Sequence, residues 1–319
     1  MATRPQVIAL EEHYLDPEVK PYITGSDVTR QPKVSARLDD VGQGRIAEMD
    51  AAGIDIQVLS HGAPSVQRLE AELAVRLARG ANDRLAETVR AHPDRFAAFA
   101  MLPTADPKAA ADELERAVTR LGFKGAMVHG LTGGLFLDDK RFWPIFERAQ
   151  ALDVPLYMHP AVPHPAVIDV YYKDYVEKYP NILRAAWGFT VETATQGIRL
   201  VLSGVFDEYP GLKIILGHLG EGLPFLLWRI NMALVRDGAG PNWFRDTFRE
   251  HFWITTSGFF SDPALLCCMM EMGVDRILFS IDYPFVENQP GTDWVHRIPL
   301  CDEDKAKILS GNTKRLLKL

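Results

Sequence analysis

The chain has 319 residues, with 35 Lys and Arg against 42 Asp and Glu, a formal net charge of −7. Hydrophobic residues at 47% and charged residues at 24% are ordinary globular usage and exclude a disordered chain. The acidic balance argues against a nucleic-acid partner, whose phosphates demand a basic excess, and no run of about 18 apolar residues is present to span a membrane.

In chain order, short apolar runs suited to strands fall at 6–12, 54–60, 96–102, 123–129, 154–159, 213–218, 252–257 and 276–281. Most are apolar throughout rather than alternating, as expected of parallel strands covered on both sides. Between them lie helical patterns at 66–92, 106–121, 142–152, 198–209, 223–235, 262–272 and 303–317. Leu69, Leu73, Leu77, Ala81, Leu85 and Val89 make a four-residue apolar stripe, and Pro107 sits in the favoured first turn of its helix. Gly122, Gly211 and Gly273 each follow a helix, where a left-handed cap is wanted.

Eight strands alternating with helices predict a (β/α)₈ barrel in one domain spanning 1–319, with insertions at 13–45 and 160–185. Both insertions leave the C-terminal ends of strands, where a barrel keeps its active site. No GxGxxG follows an early strand, which weakens the dinucleotide-binding alternative. Cys267, Cys268 and Cys301 are too few for a disulfide framework or a Cys-based zinc site. The opening MATRPQVIALEEHY lacks the apolar stretch of a signal peptide, so a soluble, cytoplasmic protein is expected.

The strand ends carry side chains that packing does not require. The first strand ends Glu11-Glu12-His13, and alternate residues share a side, so Glu11 and His13 face the barrel axis while Glu12 points toward the helices. His159 ends the fifth strand and Asp282 follows the eighth, which brings four metal-capable side chains to one rim. Two carboxylates and two imidazoles suit one Zn²⁺ or Mn²⁺ ion per chain. His218 ends the sixth strand, and Gly220 allows a tight turn toward Glu221, whose carboxylate can orient the imidazole for acid–base work or simply occupy a helix N-terminus. His61 and His129 end strands and are candidates to line the pocket; His164 lies in a Pro-rich loop; His92, His251 and His296 read as surface or capping residues.

The Glu-x-His start, the strand-five His159, ILGHLGEGLPFLLWRI and ILFSIDYP together resemble the amidohydrolase superfamily, and within it the nonoxidative aromatic-acid decarboxylases. ANDRLAE, HPDRFAAFAMLP, SGVFDEYPGLKIILGH and TTSG extend the likeness from about residue 6 to the C-terminus. The resemblance implies Glu11, His13, His159 and Asp282 as metal ligands, Asp282 also as the acid that protonates the ring, and His218 with Glu221 as an acid–base or polarising pair. It implies that Arg229 meets the substrate, in some members across a subunit interface, and that the protein is a homodimer or homotetramer. The hydrolytic members usually open with His-x-His and carry a lysine on the fourth strand; Glu11 and His129 stand here instead, which favours the decarboxylase branch. The implied substrate is a small aromatic acid, a hydroxybenzoate such as 2,6-dihydroxybenzoate, with no organic cofactor. The alternative is a metal-dependent hydrolase of a lactone or related ring, in which a metal-bound water attacks.

Overall fold

The computed structural model describes residues 4–24 and 31–319, so residues 25–30 of the first insertion, with 1–3, lie outside the described residues. The strands are β1 (Ile8–Tyr14), β2 (Ile56–His61), β3 (Phe96–Ala98), β4 (Ala100–Met101), β5 (Ala126–His129), β6 (Leu156–His159), β7 (Ile214–Leu216), β8 (Phe252–Thr255) and β9 (Ile277–Leu278). All pair in parallel, in the orders β1-β2-β3 and β4-β5-β6-β7-β8-β9. The expected third strand at 96–102 is therefore split at Phe99. Its first half pairs β2 and its second half β5, and Lys124 N donates to Ala98 O across the seam at 2.9 Å. A parallel bridge between Glu12 and Tyr283, with His13 N donating to Tyr283 O at 2.6 Å, joins the last strand position to the first. The result is the eight-position barrel expected from the sequence.

Two apolar layers hold it. Ile8, Leu10, Val58, Phe99, Tyr157 and Ile215 fill the interior together with Leu316 and Leu317 of the C-terminal helix. The outward faces of the strands pack beneath the helices, with Leu59, Ala98, Val128, Met158 and Ile254 in that larger core. A barrel filled in this way is a packed core whose chemistry is confined to its rim.

The helices depart from the sequence reading at several points. Pro107–Leu121 and Asp262–Met272 match it, and Gly122 caps the former at φ 77°. The first insertion holds helix Pro32–Asp39, a second helix, Gln43–Ala52, runs on beyond its end, and the helix expected at 66–92 begins only at Ala71. The helix expected at 198–209 is Gly188–Ser203, ended by Gly204 in the left-handed conformation, with a separate turn Val205–Glu208; Gly204, not Gly211, is the cap. The buried side of Gly188–Ser203 includes Glu192, Thr193, Gln196 and Gly197, so its first half shows no apolar stripe. Helices Trp243–His251 and Asn288–Arg297 were not expected, and 303–317 is interrupted by wider turns at Lys307–Gly311. No helix of the described residues is long and apolar enough to cross a membrane.

Candidate active site

The site begins with an irregularity in β1. Ile8 and Leu10 point into the barrel and Ala9 outward, so strict alternation would turn Glu11 out. The register slips between Ala9, opposite Gln57, and Glu12, opposite Leu59. This extra residue is a β-bulge, a device that re-aims side chains, and it brings Glu11 inside along with Leu10. His13 then follows on the same side. Glu12 does not simply face the helices, as the sequence reading had it. Its carboxylate accepts from the backbone N–H of Ile281 at 3.0 Å and Tyr283 at 3.2 Å and from the Ser280 hydroxyl at 3.1 Å. Burial pushes this carboxyl up to about 8 despite those donors. Glu12 thus clamps the residues on either side of Asp282 to the strand that carries Glu11 and His13.

Glu11, His13, His159 and Asp282 converge, with one ligand-capable atom from each lying within 4.8 Å of the others. Glu11 Oε1 stands 3.2 Å from His159 Nε2 and 3.8 Å from His13 Nε2, and His13 Nε2 is 3.4 Å from Asp282 Oδ1. Each imidazole is oriented through its other nitrogen: His159 Nδ1 donates to Pro160 O at 2.7 Å, and His13 Nδ1 meets the Ser60 hydroxyl at 3.3 Å. Asp282 is held at φ 75° against Gly258, where a Cβ would come within 3.4 Å of Oδ2.

These residues fit a divalent cation. Among the described residues, Glu11 Oε1 and His13 Nε2 are buried with no hydrogen-bond partner, which is costly unless another group meets them. Two carboxylates and two imidazoles are the mixed N/O set that first-row dications take. Burial opposes charge on His13, yet Asp282 and Glu11 push it up to about 9. Burial would raise Glu11, but the surrounding histidine charges, His218 foremost, hold it well below the usual range.

His218 borders this cluster, with Nε2 3.8 Å from Glu11 Oε1 and 3.9 Å from Asp282 Oδ2. Its Nδ1 pairs with Glu221 Oε1 at 2.7 Å. Residues His218, Leu219, Gly220, Glu221 and Gly222 all have φ between 49° and 75°, so the chain turns left-handed before the helix Leu223–Ala233 begins. Three of the five are not glycine, a strain of about 1–3 kcal/mol each that clusters where function requires it. Burial opposes the charge on His218, but Glu221 and Glu11 raise it well above the ordinary imidazole value.

The other sequence candidates separate cleanly. His129 and His61 are buried beside the cluster rather than in it: the His129 ring lies 5.0 Å from that of His159, and Nδ1 meets Gln67 Oε1 at 3.0 Å. Burial pushes His61 down to about 4 and His129 well below its usual value. His164 caps the turn Pro165–Val167 and lines a cavity of about 690 Å³ over the loops that follow β2, β4, β5 and β6. That cavity lies beside the metal-capable cluster and is not lined by it. His251, expected at the surface or as a cap, is buried in the last turn of its helix and stacked on Phe206 at 4.3 Å. Arg229 is exposed on the helix Leu223–Ala233, with no ion-pair partner among the described residues. Sequence reasoning missed Tyr157 and Gly217, which border the second oxygen of Glu11, and Thr255, which meets the Tyr157 hydroxyl. The spacing of Tyr157, two residues before His159 on one strand, was the available signal.

A parallel barrel whose first-, fifth- and last-strand ends carry a Glu-His-His-Asp set is the amidohydrolase arrangement. The amidohydrolase family model matches residues 13–319, and the chain belongs to that family. It is 41% identical over 325 residues to the γ-resorcylate decarboxylase of Polaromonas sp. (strain JS666 / ATCC BAA-500), covering 98% of each chain. A solved 2,6-dihydroxybenzoate decarboxylase complexed with 2,6-dihydroxybenzoate superposes with a TM-score of 0.91 at 41% identity, over 99% of this chain and 100% of that one. A dihydroxybenzoic acid decarboxylase from Polaromonas sp. JS666, with bound manganese and the inhibitor 2-nitroresorcinol, gives a TM-score of 0.88 at 40% identity, over 99% and 97%. All three relatives are decarboxylases by name, which favours the lyase over the hydrolase alternative.

Proposed function

We propose that this protein is a metal-dependent, nonoxidative decarboxylase of an ortho-hydroxybenzoate, with 2,6-dihydroxybenzoate the first candidate. The observation that carries the reading is the buried cluster of Glu11, His13, His159 and Asp282, with unpartnered ligand atoms, beside the His218–Glu221 pair. Glu11, His13, His159 and Asp282 would hold a divalent cation there, and it would supply Lewis acidity toward the substrate. Mn²⁺ is our choice over Zn²⁺, because half the donor set is carboxylate and a similar decarboxylase binds manganese. No organic cofactor is required.

Decarboxylation needs a proton on the ring carbon that bears the carboxylate. Asp282, only 15% exposed at the edge of the cluster, gives it. The bond from ring to carboxylate then breaks, its electron pair restores the aromatic ring, and CO₂ leaves; Asp282 regains its proton from solvent. His218 has Nδ1 committed to Glu221, so its Nε2–H is left to bind and polarise a substrate oxygen. The assay is CO₂ release across a hydroxybenzoate panel with metal content measured alongside; a ring-opened acid as product would refute the reading.

We read the helix Leu223–Ala233 as the contact with a second copy of this chain. Phe225, Trp228 and Met232 repeat at helical spacing and are 79%, 62% and 61% exposed, a patch of the kind that marks an interface. Arg229 lies within it, in keeping with a reach toward a neighbouring subunit's substrate. Phe225→Asp should yield monomers in sedimentation, and an unchanged oligomer would refute this. Strands from both ends close the same barrel, which supports reading 1–319 as one domain, and free Cys267, Cys268 and Cys301 suit a reducing cytoplasm.

A further inference from the structure

The two oxygens of Glu11 have different surroundings. Oε1 faces His13, His159 and His218 and has no hydrogen-bond partner among the described residues. Oε2 accepts a hydrogen bond from the hydroxyl of Tyr157, a fully buried residue on β6. Tyr157 stands two residues before His159, so both point to the barrel axis, and its ring packs among Ile8, Leu10 and Ile215. The Tyr157 oxygen is also 2.9 Å from Thr255 Oγ1 on β8, likewise fully buried. A phenol has one hydrogen and here it goes to the carboxylate, so Thr255 must be the donor in the second bond. The chain of bonds runs from Thr255 to Tyr157 to Glu11 and ties β8, β6 and β1 across the barrel.

We infer that Thr255 and Tyr157 form a positioning relay that fixes Glu11 as a one-oxygen metal ligand, and that Tyr157 thereby sets the metal affinity of the site. This rests on the metal-dependent reading above and deepens it. An unrestrained carboxylate can rotate to present both oxygens to a cation, filling a position that the substrate's own oxygens need. With Oε2 held by a buried donor, only Oε1 is offered. The space for the relay exists because residue 217 is glycine: a Cβ there would come within 2.9 Å of Glu11 Oε2 and 3.1 Å of the Tyr157 oxygen. No water is needed to complete the arrangement, since hydroxyls alone connect Thr255 to the carboxylate.

The test is calorimetric titration of Mn²⁺ into metal-free wild type, Tyr157→Phe, Thr255→Val, Thr255→Ser and the Tyr157→Phe/Thr255→Val double variant, with His159→Ala as the control for binding at this site. Tyr157→Phe should raise the dissociation constant roughly 10- to 100-fold, the usual worth of a residue that orients a ligand. Thr255→Val should raise it a few-fold, Thr255→Ser should restore it, and the double variant should be no weaker than Tyr157→Phe alone. Cobalt-substituted Tyr157→Phe should show a changed visible band, reporting a changed ligand number. A tyrosine that merely packs the core would instead lower the melting temperature and leave affinity and spectrum unaltered; that result overturns the relay. Should Tyr157→Phe fail to fold, the Thr255→Val and Thr255→Ser pair decides alone, and equal affinities in both overturn it. Wild type that binds no Mn²⁺, or binds it equally after His159→Ala, overturns the metal reading and the relay together. Intact wild-type binding with an indifferent Tyr157 overturns only the relay.

Discussion

Replacing Gly217 by alanine is a minimal perturbation of the proposed metal site. Gly217 has φ −70° and ψ −177°, a conformation that alanine adopts freely, so the backbone raises no objection. The objection is the added methyl, which lands 2.9 Å from Glu11 Oε2 and 3.1 Å from the Tyr157 oxygen. Ordinary contacts are a few tenths of an ångström longer, and neither neighbour can retreat, since both side chains are fully buried. The carboxylate must turn, and the hydrogen bond from Tyr157 is lost or bent. A hydrogen bond to a charged group is worth about 1.5–3 kcal/mol, which converts to roughly 10- to 100-fold in affinity for a cation. The smaller entropy of the unfolded alanine chain returns about 0.4–1 kcal/mol of stability, less than that hydrogen bond is worth, so the melting temperature of the metal-free protein should fall modestly. Mn²⁺ titration and a thermal melt on one preparation check both halves. An affinity within twofold of wild type, with an unchanged melt, would refute the account of Glu11.

Three further outcomes follow from the same geometry. His218→Asn should lower kcat by roughly 10²–10⁴, and Glu221→Gln should lower it too, while the double variant should be little worse than His218→Asn; losses that multiply would show that the pair does not act as a unit. Asp282→Asn should retain part of its metal and melt near wild type but lose the proton that decarboxylation requires; a rate within tenfold of wild type would transfer that role to another group. His61 is held neutral with its value pushed down to about 4 from 6.5, so above 6.5 it has no effect, whereas below it only the unfolded chain takes the proton. Stability should fall by about 3 kcal/mol between pH 6.5 and 4 on its account. His61→Asn should flatten the denaturation slope over that window, and an unaltered slope would refute the assignment.

What the sequence disclosed was whatever repeats or stands at a strand end. Apolar runs located the eight strand positions, and the i, i+2 spacing of Glu11 and His13 put both metal-capable side chains on one side. That inference succeeded locally for a reason invisible in the sequence: the bulge after Ala9 cancels the alternation that Ile8 and Leu10 would otherwise impose. Glu12 was legible only as the residue between two metal-capable side chains, because its partners include backbone N–H groups 269 and 271 residues away. Tyr157 was read as part of an apolar strand, since a tyrosine inside a barrel looks like packing until its hydroxyl finds a carboxylate. The helix Gly188–Ser203 was half hidden because its buried face carries Glu192, Thr193, Gln196 and Gly197, which a search for apolar periodicity passes over. Both glycines follow plausible helices, but Gly204 takes the left-handed conformation at φ 81° and Gly211 does not, so the cap falls on Gly204.

The central claim is that a cation held by Glu11, His13, His159 and Asp282 is required for protonation of an aromatic ring carbon with loss of CO₂. It is tested most directly by incubating Mn²⁺-loaded protein with 2,6-dihydroxybenzoate in D₂O and following the ring by NMR. The account predicts 1,3-dihydroxybenzene carrying one deuteron at the carbon that bore the carboxylate, CO₂ in equal amount, and neither product from protein stripped by a chelator. Equal turnover by the stripped protein, or a ring-opened acid in place of the phenol, would contradict it.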